Sequence, residues 1–203
     1  MTPTELATLK EAGVDPRVHD VLRRRWSPRS FLDRPVEHSV LALLLEAARW
    51  APSSSNEQPW RFIVATRDQP DDYARLLACL GDRNQIWAKL APVLMLSVAK
   101  TTFIRSERPN RHALHDVGLA TATLIVQATA VGVSVHPRAG FDSDKARAAF
   151  QIPDGFEPVA AMAVGYLGDP DRLPDDFRAR EIAPRTRRPL NETAFSGTWG
   201  TGF

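Results

Sequence analysis

The sequence predicts one domain of mixed helix and strand, with helical mass outweighing strand. Three observations carry this expectation. Short apolar runs bounded by turn residues recur, the first being "WRFIVAT" at 60–66, and such runs read as buried strands. Longer runs with apolar residues at helical spacing alternate loosely with them. The chain of 203 residues, 43% hydrophobic and 25% charged, can bury a sizeable core in one domain or at most two.

The elements follow in order. Residues 17–25 read as a short helix that ends before "WSPRSF". Pro35 leads into "VEHSVLALLLEAARWA", where Val40, Leu41, Leu44, Leu45 and Ala48 recur at helical spacing and Glu37 or Ser39 can serve the N-terminal end. Pro52 stops this helix, because proline disfavours helical geometry in the residue before it. The strand 60–66 comes next. "DDYARLLACLG" (71–81) reads as a helix closed by Gly81. "PVLMLSVA" (92–99) is a second buried strand. The run 111–132 is a long helix closed by Gly132, apolar or small nearly all round, as expected of a central buried helix. Asp116, Gln127 and several threonines interrupt it, which argues against a membrane span. A strand at 132–137, a helix at 143–151 and a strand at 158–168 complete the regular part. Residues 169–203 are rich in proline and arginine without a period, so they are expected to be either disordered or an arm packed on something else.

Composition narrows the function. Lys and Arg together number 26 against 24 Asp and Glu, a net charge of +2. That is no extended nucleic-acid surface. Cys79 is the lone cysteine, so neither an internal disulfide nor a cysteine zinc cage is expected. "MTPTELATLKEAG" lacks a basic stretch followed by an apolar one, so no signal peptide is expected and the cytoplasm is the expected compartment. His112 and His115, with Asp116 beside them, read as a polar helix start rather than a metal site. The G-x-G-x-x-G and G-x-x-x-x-G-K-[ST] loops and the G-x-S-x-G elbow are all missing. Any phosphorylated cofactor must then be held by side chains.

Four polar stretches are candidates for chemistry, and each has a plain structural alternative. In "RRRWSPRSF", Arg25, Ser27 and Arg29 alternate, and in an extended segment they share one face. They suit a phosphate, or simply end a helix with favourable charge. In "APSSSNEQPW", Ser53, Ser54, Ser55 and Asn56 offer hydroxyls and an amide between two core elements. They suit the edge of a heteroaromatic ring, or cap a loop. "VHPRAGFD" runs from a strand into His136 and Pro137 and then the small residues Ala139 and Gly140, where backbone can approach a ligand. It is equally an ordinary turn with Asp142 or Ser143 capping the next helix. Arg185 and Arg187 repeat the i, i+2 spacing in "RTRRPLNETAFSGTWG", as a second anion contact or as a solvated basic tail.

Taken in order, "RRRWSPRSF", "EAARWAPSSSNEQPWRFIV", "APVLMLSVA", "DVGLATATLIVQATAVGVSVHPRAGFD" and "RTRRPLNETAF" resemble the nitroreductase family of FMN-dependent oxidoreductases. The resemblance spans about Val21 to Trp199. It implies an α+β fold, a mostly antiparallel sheet sandwiched by helices, in an intertwined homodimer with FMN at the interface. The whole chain, 1–203, would be one FMN-binding domain, with about 169–203 forming an extended C-terminal arm. The resemblance assigns Arg25, Ser27 and Arg29, with Trp26 between them, to the N-terminal phosphate motif, and Arg185 and Arg187 to the C-terminal one. It assigns Pro52, Ser53, Ser54, Ser55 and Asn56 to the loop that contacts flavin across the dimer. Pro137, Arg138, Ala139 and Gly140 match the turn beneath the isoalloxazine ring, and Asn84 and Gln85 fall near a polar cofactor position. Arg138 faces either the pocket, where it would favour an anionic ligand, or solvent. Phe103, in the variable segment 101–112, is the candidate for stacking on substrate.

The activity implied is a ping-pong cycle in which NAD(P)H is the reductant and nitroaromatics, quinones or related compounds are the acceptors. The chemistry then lies in the cofactor, and no catalytic side chain is expected. Non-catalytic FMN sequestration, flavin remodelling and reductive dehalogenation are the alternatives on this fold. Nucleic acid, membrane and metal are not expected as partners.

Overall fold

The computed structural model describes residues Met1–Phe203. Eight α-helices and four strands follow one another: α1 (Pro3–Leu9), α2 (Asp20–Arg24), α3 (His38–Arg49), β1 (Trp60–Thr66), α4 (Pro70–Ala78), α5 (Asp82–Ala88), β2 (Val93–Lys100), α6 (Ala113–Ala130), β3 (Ser134–Arg138), α7 (Ser143–Ala149), β4 (Phe156–Gly165) and α8 (Asp175–Ile182). The strands form one sheet in the order β1-β2-β4-β3, antiparallel throughout. This is the α+β arrangement expected from the sequence.

The central strand β2 shows why the sheet is covered on both faces. All its residues except Lys100 are buried, and successive side chains point to opposite faces. Val93 and Met95 join one core with Leu41 and Leu44 of α3 and Val117 and Leu124 of α6. Leu94 and Leu96 join the other with Leu76 of α4, Trp87 of α5 and Phe177 of α8. The register shifts between Ser97 and Val98, and the Ser97 hydroxyl donates to the Ala160 carbonyl at 3.1 Å, so a buried polar side chain is satisfied inside the sheet.

The long helix α6 packs on α3 and on the sheet along one face, which buries Val117, Ala120, Leu124 and Ala128. Its other side leaves Leu114 and Val126 exposed, as does Val131 just beyond its end. The all-round apolar character read from the sequence is thus a buried face plus an uncovered one. Gly132 follows with φ +77, the left-handed conformation that ends a helix at least cost in glycine.

Three expectations change. The helix expected over 71–81 stops at Ala78, and Gly81 opens α5 instead of closing α4. A short helix of polar residues carries too little period to be separated from its neighbour by pattern alone. The N-terminal helix α1, with its Thr2/Glu5 capping box, was likewise not anticipated. The segment from about 169, expected to be an extended arm, starts with regular structure. Pro170–Arg172 form a turn of 3-10 helix, and α8 packs on the body of its own chain with Phe177 and Glu181 buried. Further on, Phe195 and Trp199 pack together, with Trp199 88% exposed and Phe203 83% exposed.

Leu124 is fully buried where α6 meets the sheet. Leu124→Ala should cost about 2–5 kcal/mol of unfolding free energy by leaving a cavity the helix cannot close. Urea titration measures it, and a loss below 1 kcal/mol would mean α6 is not packed as described.

Candidate functional site

Arginines from separate parts of the chain come near one another, Arg29 beside Arg138 at the end of β3 and Arg185 and Arg187 beside Arg25. Arg25 leaves α2 in extended geometry, and its Nη1 lies 3.3 Å from the Ser27 hydroxyl, so these two do share a face. Arg29 follows on the same segment. Arg138 ends β3, and Arg185 and Arg187 arrive from beyond α8. Their charges act on one another. Burial, then Arg185 and Arg187, hold the Arg25 pKa below its ordinary value. Burial, then Arg29, does the same to Arg138, and burial, then Arg187, to Arg185.

The carboxylate that meets this cluster is Glu181 of α8, fully buried. It is already engaged. Its Oε1 accepts the backbone N–H groups of Arg29 at 2.7 Å and Ser30 at 3.0 Å, and its Oε2 stands 3.6 Å from the Arg29 guanidinium. Glu181 therefore fixes the shape of the 29–30 turn and leaves the rest of the positive charge uncompensated. Four half-buried guanidiniums and a hydroxyl, with the exposed guanidinium of Arg187 beside them and little counter-charge, fit a phosphate.

His136 aligns the two halves of this cluster. It is buried on β3, stacked on Trp87 with ring centroids 4.6 Å apart. Its Nδ1 lies 2.8 Å from the Pro28 carbonyl, which can only accept, so Nδ1 carries the proton. Its Nε2, 3.3 Å from Arg138 Nη1, must then accept from the guanidinium. The neutral ring so ties the 25–29 segment to Arg138. Burial lowers its pKa to about 3, against the Pro28 carbonyl, with Arg29, Arg138 and Arg25 adding repulsion.

Arg138 does not face open solvent. It lies over the Trp87 ring at 5.1 Å and donates to the Asn84 side-chain carbonyl. The Asn84 amide in turn donates to the Gly140 carbonyl at 2.7 Å. A Cβ at Gly140 would lie 2.5 Å from that amide nitrogen, so a side chain there would displace the Asn84 amide from its contact. Pro137 sits within β3, and exposed Ala139 links Arg138 to Gly140. Gln85 stays apart, because its amide is used by the Leu80 carbonyl at 2.7 Å. Trp26 carries Lys10 on its ring at 4.9 Å. Arg185 spends its Nη1 on the carbonyls of Lys10 and Arg23, at 2.7 and 2.8 Å, and so fastens the C-terminal segment to the N-terminal one.

The serine loop lies elsewhere in the chain. Pro52, Ser53 and Ser54 share a shallow cavity with His112, His115, Asp116 and Leu119, while Ser55, Asn56 and Phe103 line a larger one. Neither cavity includes the arginine cluster. Asp116 organises the loop: almost fully buried on α6, it accepts the Ser54 N–H at 3.0 Å and meets His115 Nδ1 at 3.1 Å. Ser55, Asn56 and Gln58 all have φ between 50° and 55°, the left-handed region that side chains rarely adopt. Three such residues in four positions cost on the order of 1–3 kcal/mol each and concentrate at binding loops. No group of His, Cys, Asp and Glu is placed to hold a metal ion, and no helix is long and apolar enough to cross a membrane.

Sequence reasoning missed Glu181, Asp116, Trp87 and the bridging role of His136. Asp116 did leave a signal, as an acidic residue on an otherwise apolar helix. Glu181 left none, being one acid among many in a segment without a period.

The chain belongs to the nitroreductase family, whose model matches residues 22–166. It is 38% identical over 146 residues to an uncharacterised 15.4 kDa protein of Mycolicibacterium smegmatis, a match covering 69% of this chain and 97% of the relative. It is 28% identical over 192 residues to a Ralstonia nicotianae protein provisionally named NADH dehydrogenase/NAD(P)H nitroreductase, covering 85% and 92% of the two. Among solved structures it superposes on an oxidoreductase containing FMN with TM-score 0.84 and 37% identity, over 94% and 95% of the two chains.

The His136 arrangement predicts a pH signature. The folded ring stays neutral down to about pH 3, whereas an unfolded histidine takes a proton near 6.5. Between these values the unfolded state binds more protons, so stability falls as pH falls. Melting temperatures of the parent and of His136→Asn between pH 7 and 5, above most carboxylate titration, should show a shallower acid slope in the variant. Equal slopes would count against a buried neutral imidazole.

Proposed function

We propose that this chain is an FMN-dependent oxidoreductase that takes reducing equivalents from NAD(P)H and passes them to nitroaromatic, quinone or related acceptors in a ping-pong cycle. The observation that carries the reading is the uncompensated arginine cluster on a nitroreductase-family fold. Family membership and the likeness to an FMN-containing oxidoreductase support FMN over other phosphorylated ligands.

FMN, when bound, supplies two-electron transfer between nicotinamide and acceptor. The chain's own part is binding, orientation and electrostatics. Arg25, Ser27, Arg29, Arg185 and Arg187 hold the phosphate, with Trp26 shaping that end of the site. The Pro137–Gly140 turn, braced by Asn84 through Gly140, lies along the ring, and Arg138 adds positive charge beside it. Gln85 braces α5. Pro52, Ser53, Ser54, Ser55 and Asn56 contact the ring system, and Phe103 meets the substrate.

The cavities lined by the serine loop contain none of the cluster arginines. That separation favours a homodimer in which each site takes its loop from the partner subunit. The uncovered apolar side of α6 and the exposed aromatic end of the chain suit such an interface.

Purified protein should be yellow and lose its colour with NADH or NADPH under anaerobic conditions. Colour retained with both nucleotides, yet lost with dithionite, would overturn the nucleotide-dependent reading. Arg25→Ala should weaken FMN retention by about 10- to 100-fold, since a charge-assisted contact contributes roughly 1.5–3 kcal/mol. Equilibrium dialysis of FMN measures this, and unchanged retention would mean the phosphate lies elsewhere.

A further inference from the structure

We propose that the cavity beside the serine loop is a second anion site, which reads a phosphate or carboxylate on the incoming substrate. It deepens the oxidoreductase reading above and rests on it. The cavity holds about 910 Å³, within the range of small-molecule sites. One wall is Ser55, Asn56 and Phe103, which places it against the loop assigned to the cofactor ring. Arg61, Arg105 and Arg108 also line it. None of the three belongs to the phosphate cluster, and none makes an ion pair.

The lining contains one carboxylate, Glu57, and it is occupied by the Ile104 N–H. Glu107 lies on the same segment but not in the lining. The wall therefore carries net positive charge. It is also held in place. The Thr102–Pro109 bridge and the Phe103 N–H to Arg108 carbonyl bond at 2.9 Å close the 102–109 segment on itself. Glu57 then ties that segment to the serine loop. Arg61 Nη1 is oriented by the Trp60 and Gln58 carbonyls at 2.7 and 3.1 Å. Arg105 and Arg108, without such partners, have their donors free for an anion.

Two molecules could present that anion: NADPH through its 2′-phosphate, or an acceptor bearing a carboxylate. Steady-state kinetics of the holoenzyme separate them. One arm compares kcat/KM for NADPH and NADH, and the other compares 4-nitrobenzoate and 4-nitrobenzamide. In the parent, at least one ratio should favour the charged member and shrink as salt is raised. In Arg105→Gln/Arg108→Gln that ratio should fall about three- to tenfold toward one, and in Arg105→Glu it should reverse. The arm that moves identifies the source of the anion. Two ratios unchanged in both variants would overturn the inference.

Binding without turnover provides the independent readout. By isothermal titration, 2′,5′-ADP should bind the parent more tightly than 5′-AMP, or 4-nitrobenzoate more tightly than the amide, with the preference lost in the double variant. No preference in either pair overturns the anion site even where turnover is seen. A preference present without turnover upholds the site and counts against the oxidoreductase reading alone.

Discussion

Guanidinium groups repel one another, and a fold that brings five of them near one another must hold them against that repulsion. Here the restraint is local and specific. Glu181 binds the Arg29–Ser30 turn through two backbone N–H groups and stands beside the Arg29 side chain. His136, kept neutral, accepts from Arg138 while donating to Pro28. A protonated ring there would add a sixth positive charge and lose its acceptor. Burial therefore does more than stabilise the core around His136. It removes the charge state that would push the cluster apart, and leaves a site whose remaining deficit is negative charge.

The same restraint explains how distant parts of the chain are fastened. Arg185 reaches the carbonyls of Lys10 and Arg23, and Lys10 reaches back to Ala183. The N-terminal segment, the 25–29 segment and the stretch after α8 are thus joined by hydrogen bonds. In the serine loop Asp116 plays the matching part from a rigid helix, which holds three left-handed side-chain-bearing residues in place. Both regions put polar groups on short irregular segments and anchor them to regular elements through buried carboxylates.

Much of this was legible in the sequence. β1 falls on the apolar run 60–66, and β2 is offset by one residue from 92–99, because continuous apolar runs between turn residues have few other solutions. The spacing of Arg25, Ser27 and Arg29 foretold the Arg25–Ser27 contact. Asp142 caps α7 as its position suggested, accepting from the Lys145 N–H at 2.9 Å. What pattern could not supply was pairing across long separations. Glu181 and Arg29 are 152 residues apart, and His136 and Pro28 are 108 apart. Such contacts exist only once the sheet order is set. The boundary between α4 and α5 was lost for the opposite reason, since both helices are too short for their periods to be distinguished.

The sheet order has one more effect, at the rim. β3 is an edge strand, and Pro137 sits inside it, paired with Met162 of β4. Proline is tolerated there because an edge strand can lack a ladder donor. The residue that shapes the turn into Arg138 also subtracts a hydrogen-bond donor from the open rim, and so discourages another chain from zipping onto that edge as a fifth strand. A protein with exposed apolar surface on α6 and at its C-terminal end would gain from this: chains are steered away from open-ended stacking through their sheets.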